Sequence, residues 1–248
     1  MAVVRIGTSG WHYSHWRGPY YPPDLPSRLM LDYYRRDFDT VEINNSFYRL
    51  PAPATFRSWK DATPAGFCFA VKASRYLTHR KKLLDAKPAL NRLLSAAEQL
   101  GDKLGPILFQ LPPHWRCNQG RLRRFLSLLP SRHRYSIEFR DLSWHNQEIY
   151  RLLQDHNIAC CIYELGGFRS AVEVTADFVY VRLHGPGAKY QGDYPARTLK
   201  SWALQIHRWT EADIDVYVYF DNDQAGYAVR NAQALKRAVG RSMLRIKA

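Results

Sequence analysis

Short apolar segments recur along the chain, and apolar and polar side chains alternate within most of them. Val216, Val218 and Phe220 share one face of such a segment, while Tyr217 and Asp221 lie on the other, because successive side chains of a strand point to opposite faces. A helical pattern begins shortly after the polar end of this segment. The repeating design of the sequence is therefore a polar group at the carboxyl end of a buried strand, just before a helix.

This design predicts eight strands, at Val3–Thr8, Thr40–Asn44, Phe67–Lys72, Ile107–Gln110, Tyr135–Phe139, Ile158–Tyr163, Phe178–His184 and Val216–Asn222. About seven helices alternate with them, near Arg28–Asp37 (capped by Ser27), Pro53–Asp61, Ala89–Leu100, Gly120–Leu129, Asn146–His156, Ala196–Thr210 and Tyr227–Val239. We expect a missing or short helix between the sixth and seventh strands, because the connection between them is short. Alternation of this kind indicates a parallel sheet.

Eight such units in 248 residues are typical of a (β/α)8 barrel. We therefore predict an α/β fold with a single TIM-type barrel domain over residues 1–240 and a basic C-terminal tail over residues 241–248. A doubly wound open sheet is the rival architecture. It requires a glycine-rich phosphate turn after the first strand, and Thr8-Ser9-Gly10-Trp11 does not fit that turn.

The polar strand ends predict the position of a site. In a barrel one face of each strand packs on helices and the other faces the lumen. Because Val41 and Ile43 form an apolar face, we expect Glu42 to face the lumen. The active site of this fold lies at the carboxyl ends of the strands. The catalytic candidates are Glu42, Lys72, Glu138, His184 and Asp221, and the substrate-binding candidates are Ser9, Trp11, Asn44, Tyr48, Gln110, Arg140, Arg182, Tyr219 and Asn222.

The charges of these candidates predict mutual pairing. Three acids (Glu42, Glu138, Asp221) accompany three cations (Lys72, Arg140, Arg182), and buried charges persist only when they are paired and hydrogen-bonded. The cations would repel a divalent ion, and HxH and HExxH spacings are missing from the sequence. We therefore predict no metal and no cofactor.

Recognition of an anion is the leading functional hypothesis. Arg140 and Arg182 supply forked donors for phosphate or carboxylate groups, and Lys72 supplies a point charge. The glycine-containing loop after His184 follows the seventh strand, near which many barrels bind phosphate, and His184 itself suits acid–base work. We predict an enzyme or binding protein for a small anionic ligand, for example a phosphorylated ligand. Whether it is an enzyme, for example a hydrolase or lyase, stays open.

Two alternatives remain. A sugar-directed hydrolase would use Glu42 and Glu138 as paired carboxylates, with an aromatic rim for stacking formed by Trp11, Tyr13, Trp16, Tyr48 and Trp144. A nucleic-acid-binding protein, in one form a barrel-type nuclease, would use the basic tracts Arg75–Lys82 and Arg121–Arg134.

Composition changes this picture little. The net charge of +14 suits an acidic partner, although solubility alone explains many basic proteins. Apolar runs of the roughly 18 residues that a membrane span needs are missing, and the chain starts directly with a strand, so we expect no membrane association and no signal peptide. Four cysteines without a CxxC pair indicate reduced thiols in a cytoplasmic protein. The oligomeric state stays open.

The strand ends also resemble one known family. The motifs are Ile6-Gly7-Thr8-Ser9-Gly10-Trp11, Thr40-Val41-Glu42-Ile43-Asn44, Phe47-Tyr48-Arg49-Leu50-Pro51, Phe69-Ala70-Val71-Lys72, Phe109-Gln110-Leu111-Pro112-Pro113, Glu138-Phe139-Arg140, Val181-Arg182-Leu183-His184-Gly185 and Tyr219-Phe220-Asp221-Asn222. Together they resemble the YecE-like family, domain of unknown function 72, from about Val3 to Gly240. The resemblance implies a TIM-type barrel and no particular reaction. The chain departs from the pattern at Asn45-Ser46 and in the tract Leu165-Gly166-Gly167-Phe168.

Overall fold

The computed structural model describes residues 2–246, with side chains described through residue 240. Ten strands lie in this part of the chain: β1 (Val4–Thr8), β2 (Thr40–Ile43), β3 (Cys68–Lys72), β4 (Leu104–Gln110), β5 (Tyr135–Glu138), β6 (Ala159–Cys160), β7 (Ile162–Leu165), β8 (Phe168–Arg169), β9 (Phe178–Leu183) and β10 (Asp215–Phe220). The seven α-helices here are α1 (Met30–Tyr34), α2 (Pro53–Asp61), α3 (Lys87–Ala97), α4 (Gln119–Leu126), α5 (Gln147–Gln154), α6 (Ala196–Glu211) and α7 (Tyr227–Ile246). The fold is mixed α/β, as the sequence predicts.

The contacts between residues divide the chain into two compact units, each built around one five-stranded sheet. The first unit comprises the chain up to Val41, Ile162–Ser170, and the chain from Phe178 onward. Its sheet has the order β1-β10-β9-β7-β8, in which β1, β10, β9 and β7 pair in parallel. β8 folds back on β7 as an antiparallel partner.

The second unit comprises Glu42–Cys161 and Ala171–Asp177. Its sheet has the order β2-β3-β4-β5-β6, and β3 through β6 pair in parallel. Parallel strands are buried on both faces, which explains why Val71, Ile107 and Ile137 are fully buried. The register places Gln110 beside Glu138, so the carboxyl ends of β4 and β5 are neighbours.

Two of the helices begin at an asparagine that caps their first turn. The side chain of Asn118 accepts a hydrogen bond from the Arg121 amide at 2.9 Å at the start of α4. Asn146 does the same for Ile149 at 3.1 Å at the start of α5. Such caps satisfy amides that have no partner within the helix. The predicted cap of the first helix is wrong, because Ser27 begins a short 3-10 turn and makes no side-chain capping bond.

Three further expectations have clear outcomes. In residues 166–177, all of which the structure describes, no helix forms, so the expected missing helix is confirmed. The predicted sixth strand is split into β6 and β7, which belong to different sheets. The predicted end of the last helix at Gly240 is wrong, because α7 continues to Ile246; residues 247 and 248 of the predicted tail lie outside the described residues. Barrel closure and a single domain stay predictions.

Candidate functional site

The structure brings the predicted site residues together in two groups, one at the strand ends of each unit. The group in the first unit comprises Ser9, Trp11, Arg182, His184, Tyr219, Asp221 and Asn222. The group in the second unit comprises Glu42, Asn44, Tyr48, Lys72, Gln110, Glu138 and Arg140.

Arg182 is the centre of the first group. Its side chain is fully buried, yet one terminal nitrogen donates to the Asp221 carboxylate at 3.0 Å and to the Ser9 hydroxyl at 3.2 Å. The other terminal nitrogen lies 3.3 Å from Nε2 of His184. The guanidinium therefore joins the ends of β1, β9 and β10, and the predicted mutual pairing of charges is confirmed for Arg182 and Asp221.

His184 closes a triangle with these two residues. Its Nδ1 lies 2.9 Å from the same Asp221 oxygen that Arg182 contacts. Because a guanidinium can only donate, Nε2 of His184 is the acceptor of the contact from Arg182. The imidazole ring lies edge-on to both Tyr163 and Tyr190.

The remaining members of the first group have partners within the protein. The hydroxyl of Tyr219 lies 2.7 Å from that of Thr40, and the ring is fully buried. The amide nitrogen of Asn222 donates to Gly192 and Asn231 at 2.8 Å each. Trp11 is 7% exposed. These contacts organise the interior, so assignment of these residues to a ligand stays a prediction.

A second ion pair lies at the carboxyl end of β5 in the second unit. Nε of Arg140 donates to the Glu138 carboxylate, and both side chains are buried. This confirms the predicted mutual pairing for Glu138 and Arg140. The other carboxylate oxygen of Glu138 lies 3.8 Å from Sγ of Cys161. Glu42 on β2 is also fully buried, and Gln110 at the end of β4 is 8% exposed.

Lys72 at the end of β3 is held from two sides. Its carbonyl accepts a hydrogen bond from the Ser46 hydroxyl at 2.6 Å, which ties the turn after β2 to β3. Its ammonium lies 4.3 Å from the centre of the Phe47 ring, a favourable distance for a cation above an aromatic face. The dipeptide Asn45-Ser46, a departure from the family pattern, thus supplies a hydroxyl that orders this end of the strand.

His79 is a candidate that the sequence reasoning missed. It lies on a π-helical turn, Tyr76–Arg80, after β3, and its ring packs edge-on against Phe47 at 5.1 Å. Burial, followed by the positive charges of Lys72, Arg75 and Arg140, lowers its pKa to about 4, while Glu138 acts in the opposite direction. A neutral imidazole therefore stands among three cations. A histidine in a basic tract is the signal that could have identified it.

Tyr48 and Asn44 lie beside this group. Tyr48 is 69% exposed, and its ring meets Phe47 edge-on at 5.2 Å. Oδ1 of Asn44 is buried and has no hydrogen-bond partner in the described part of the chain. A buried acceptor without a donor costs about 1–3 kcal/mol, so this atom is suited to receive a ligand's donor.

The predicted aromatic rim is wrong for two of its members. Trp16 and Trp144 are fully buried, so their faces cannot stack on a sugar or base. The indole of Trp16 donates to the Asp223 carbonyl at 2.8 Å, and that of Trp144 donates to the Trp115 carbonyl at 2.6 Å. Only the exposed Tyr48 of the predicted rim presents most of its ring to solvent.

In the basic tract Arg121–Arg134, part of the positive charge is paired with acidic side chains. Arg132 pairs with Glu98 at 2.5 Å, and Arg134 lies 3.5 Å from Asp177. Arg123 and Arg124 on α4 are exposed. Nucleic-acid binding through Arg75–Lys82 and Arg121–Arg134 stays a prediction.

Grouped metal ligands, disulfides and helices that could span a membrane are all missing from the described residues. Among them, no three His, Cys, Asp or Glu side chains are grouped so that they could hold a metal ion. The four cysteines are free thiols, and burial raises the pKa of the Cys160 thiol to about 12. No helix in residues 2–246 has the length and apolar character needed to cross a bilayer.

Comparison with known proteins confirms the resemblance of the strand-end motifs. The model of the family described as "Protein of unknown function DUF72" matches residues 5–247. The chain belongs to the DUF72 family. A curated relative, UPF0759 protein YunF of Bacillus subtilis, is 24% identical over 277 residues, covering 94% of this chain and 93% of YunF.

Solved structures of DUF72 proteins have the same fold. A DUF72 family protein of Thermotoga maritima superposes with a TM-score of 0.86 at 26% identity, covering 96% of this chain and 99% of its own. One from Enterococcus faecalis superposes with a TM-score of 0.80 at 16% identity, covering 96% of each chain. These likenesses establish the α/β fold of the family, and the names of these DUF72 proteins state no reaction or ligand.

Proposed function

We propose that this protein binds a small anionic ligand through a phosphate group at the strand ends of the second unit. Lys72 and Arg140 are the proposed anchors, Arg75 adds positive charge, and His79 is the proposed proton acceptor. The observation that carries the proposal is the positive charge gathered around one ring: the Lys72 ammonium lies 4.3 Å from the centre of the Phe47 ring, and the same ring contacts His79 at 5.1 Å. Burial, and then the charges of Lys72, Arg75 and Arg140, lower the pKa of His79. The positive potential of these three cations attracts an anion.

The charges support this site over the first group. Arg182 in the first unit is enclosed, with donors directed at Ser9, His184 and Asp221. In the second unit Lys72 stands above an aromatic face at 4.3 Å, and Arg75 is exposed. Arg75 thus lies where an incoming anion can reach it from solvent.

His79 gives the proposal a catalytic element. With a pKa of about 4, the imidazole is unprotonated near neutral pH and can accept a proton from a bound substrate or water. A bound phosphate would add negative charge nearby and raise the pKa of His79. Binding and base strength are therefore coupled: the ligand itself makes His79 a stronger base.

This coupling provides the test. The His79 imidazole signals would be followed by NMR across pH, with and without millimolar inorganic phosphate. We expect phosphate to raise the His79 pKa, and Lys72→Met to weaken phosphate binding. Arg75→Ala should weaken it about 2- to 5-fold, as expected for one exposed charge. The exposed Arg35 of the first unit provides the control variant Arg35→Ala. A His79 pKa that phosphate leaves unchanged, together with no measurable heat of binding, would refute the proposal.

We also propose that the chain forms a closed (β/α)8 barrel and is cytoplasmic. A closed (β/α)8 barrel is supported by the parallel pairing within each sheet and by polar residues at strand ends in both units. A cytoplasmic location is supported by the four free thiols, which suit a reducing compartment.

A further inference from the structure

Tyr48 stands out among the aromatic residues of the second unit because most of its ring faces solvent. It is 69% exposed and lines an open cleft of about 610 Å³ together with Asn45, Arg49, Leu50, Pro51 and Ala52. This volume lies within the usual range for small-molecule sites, about 300–1,000 Å³. The cleft thus offers one aromatic face, short apolar walls and polar groups along its edge.

A single ring connects this cleft to the proposed anion site. Phe47 meets Tyr48 edge-on at 5.2 Å with an interplanar angle of 88°. The same Phe47 ring carries the Lys72 ammonium over its face at 4.3 Å and contacts His79 at 5.1 Å. A ligand whose phosphate lies at Lys72 therefore needs only a short spacer to place a planar group against Tyr48.

The unpartnered acceptor of Asn44 adds a requirement on that ligand. Its Oδ1 atom is buried without a hydrogen-bond partner in the described residues, and Asn44 directly precedes the turn that carries Phe47 and Tyr48. The ligand should therefore carry a hydrogen-bond donor besides its anion. Phosphate alone supplies neither this neutral donor nor a planar face.

We propose that the anion bound at Lys72 and Arg140 is the phosphate of a nucleoside monophosphate whose base stacks on Tyr48. A nucleoside monophosphate combines the three required parts: a phosphate, a short sugar spacer, and a planar base with N–H donors for Asn44. The inference rests on the proposed function, because it names the ligand class of the same site. A free mononucleotide is favoured over a nucleic-acid strand because the cleft presents a single exposed ring, whereas strands are held by a series of stacking platforms.

Calorimetric titration of the full chain with four probes tests the inference. The probes are AMP, ribose 5-phosphate, inorganic phosphate and single-stranded oligo(A). We expect AMP to bind about 5- to 100-fold more tightly than ribose 5-phosphate, the factor that stacking of one base supplies. Tyr48→Ala should abolish this difference while leaving ribose 5-phosphate binding unchanged, and Tyr48→Phe should preserve it. Leu142→Ala, which removes an equally exposed side chain of the same unit, is the control.

The outcomes separate this inference from the proposal on which it rests. Equal affinities for AMP and ribose 5-phosphate, unaffected by Tyr48→Ala, would overturn the nucleotide inference and leave the anion site standing. Binding of oligo(A) without AMP would overturn it in favour of a nucleic-acid ligand. If none of the phosphate compounds binds and the His79 pKa stays unchanged, both the inference and the proposed function fail.

Discussion

Replacing Arg182 with methionine tests whether its ion pair stabilises the first unit. The substitution keeps much of the side-chain volume and removes a fully buried guanidinium that contacts Asp221 at 3.0 Å, Ser9 at 3.2 Å and His184 at 3.3 Å. After the change Asp221 keeps its contact with Nδ1 of His184 at 2.9 Å, but it loses the charged guanidinium. Removing one partner of a buried pair costs about 3–5 kcal/mol.

This cost can be converted into a melting temperature. For a chain of this size each kcal/mol of lost stability lowers Tm by about 2–4 °C, so we expect Arg182→Met to lower Tm by roughly 6–20 °C. The measurement is thermal unfolding followed by circular dichroism, with urea unfolding for the free energy. Arg5→Met is the matched control, because Arg5 pairs with Asp39 at 2.5 Å near the surface of the same unit. Exposed pairs contribute about 1 kcal/mol at most.

A double-mutant cycle with Asp221→Asn identifies the source of the loss. If the pair is responsible, the two substitutions together should cost clearly less than their separate effects added, because either one already breaks the pair. Additive costs, or a Tm for Arg182→Met equal to that of Arg5→Met, would show that the ion pair adds no stability and that the Arg182 side chain contributes through packing alone or not at all.

Two further predictions concern pH and backbone geometry. The pKa of His79 is about 4 in the folded protein and about 6.5 in the unfolded chain. The unfolded chain therefore binds a proton that the folded protein does not, and the free energy of unfolding should fall as pH drops from about 6.5 to about 4. His79→Gln should lessen this loss in urea unfolding; parallel pH profiles for the variant and the original protein would contradict the assignment. Gly185 has φ +117°, and an added Cβ would lie 2.2 Å from the Gln191 carbonyl oxygen. Gly185→Ala should therefore cost at least about 1–3 kcal/mol. Gly187→Ala, whose Cβ would meet no atom within 4 Å, should be neutral; equal unfolding midpoints for the two variants would contradict this.

The strand ends were predictable because alternation and strand polarity are local properties of the sequence. Arg182 and His184 are two positions apart, so they share a face of β9 and its extension, and parallel pairing of β9 with β10 brings Asp221 to the same edge. The pairing partners were less predictable. Arg140 pairs with Glu138, two residues away on the same segment, and this pairing depends on side-chain rotamers that the alternation pattern does not determine.

Features away from the strands escaped the sequence reasoning for physical reasons. His79 lies on a π-helical turn, whose hydrogen-bond pattern leaves no periodic signature. The loop positions of Trp16 and Trp144 indicated exposed side chains. A tryptophan in a loop can nevertheless be buried when a backbone carbonyl accepts the hydrogen bond from its indole N–H. The division of the sixth predicted strand at Cys161 lies inside a continuous apolar run, where hydropathy gives no sign of a change of sheet.

The position of β1 in its sheet has a consequence for synthesis of the protein. β1 pairs with β10, so Val4 lies opposite Val216, and β10 is the last of the described strands in chain order. At a typical rate of 5–20 residues per second, the N-terminal segment waits roughly 10–40 seconds for its neighbour. During that time the backbone amides and carbonyls of β1 must be satisfied by water or by another chain. Among the described strands, the first in chain order is thus the last whose pairing within its sheet can be completed, and its protection in the nascent chain depends on factors outside that sheet.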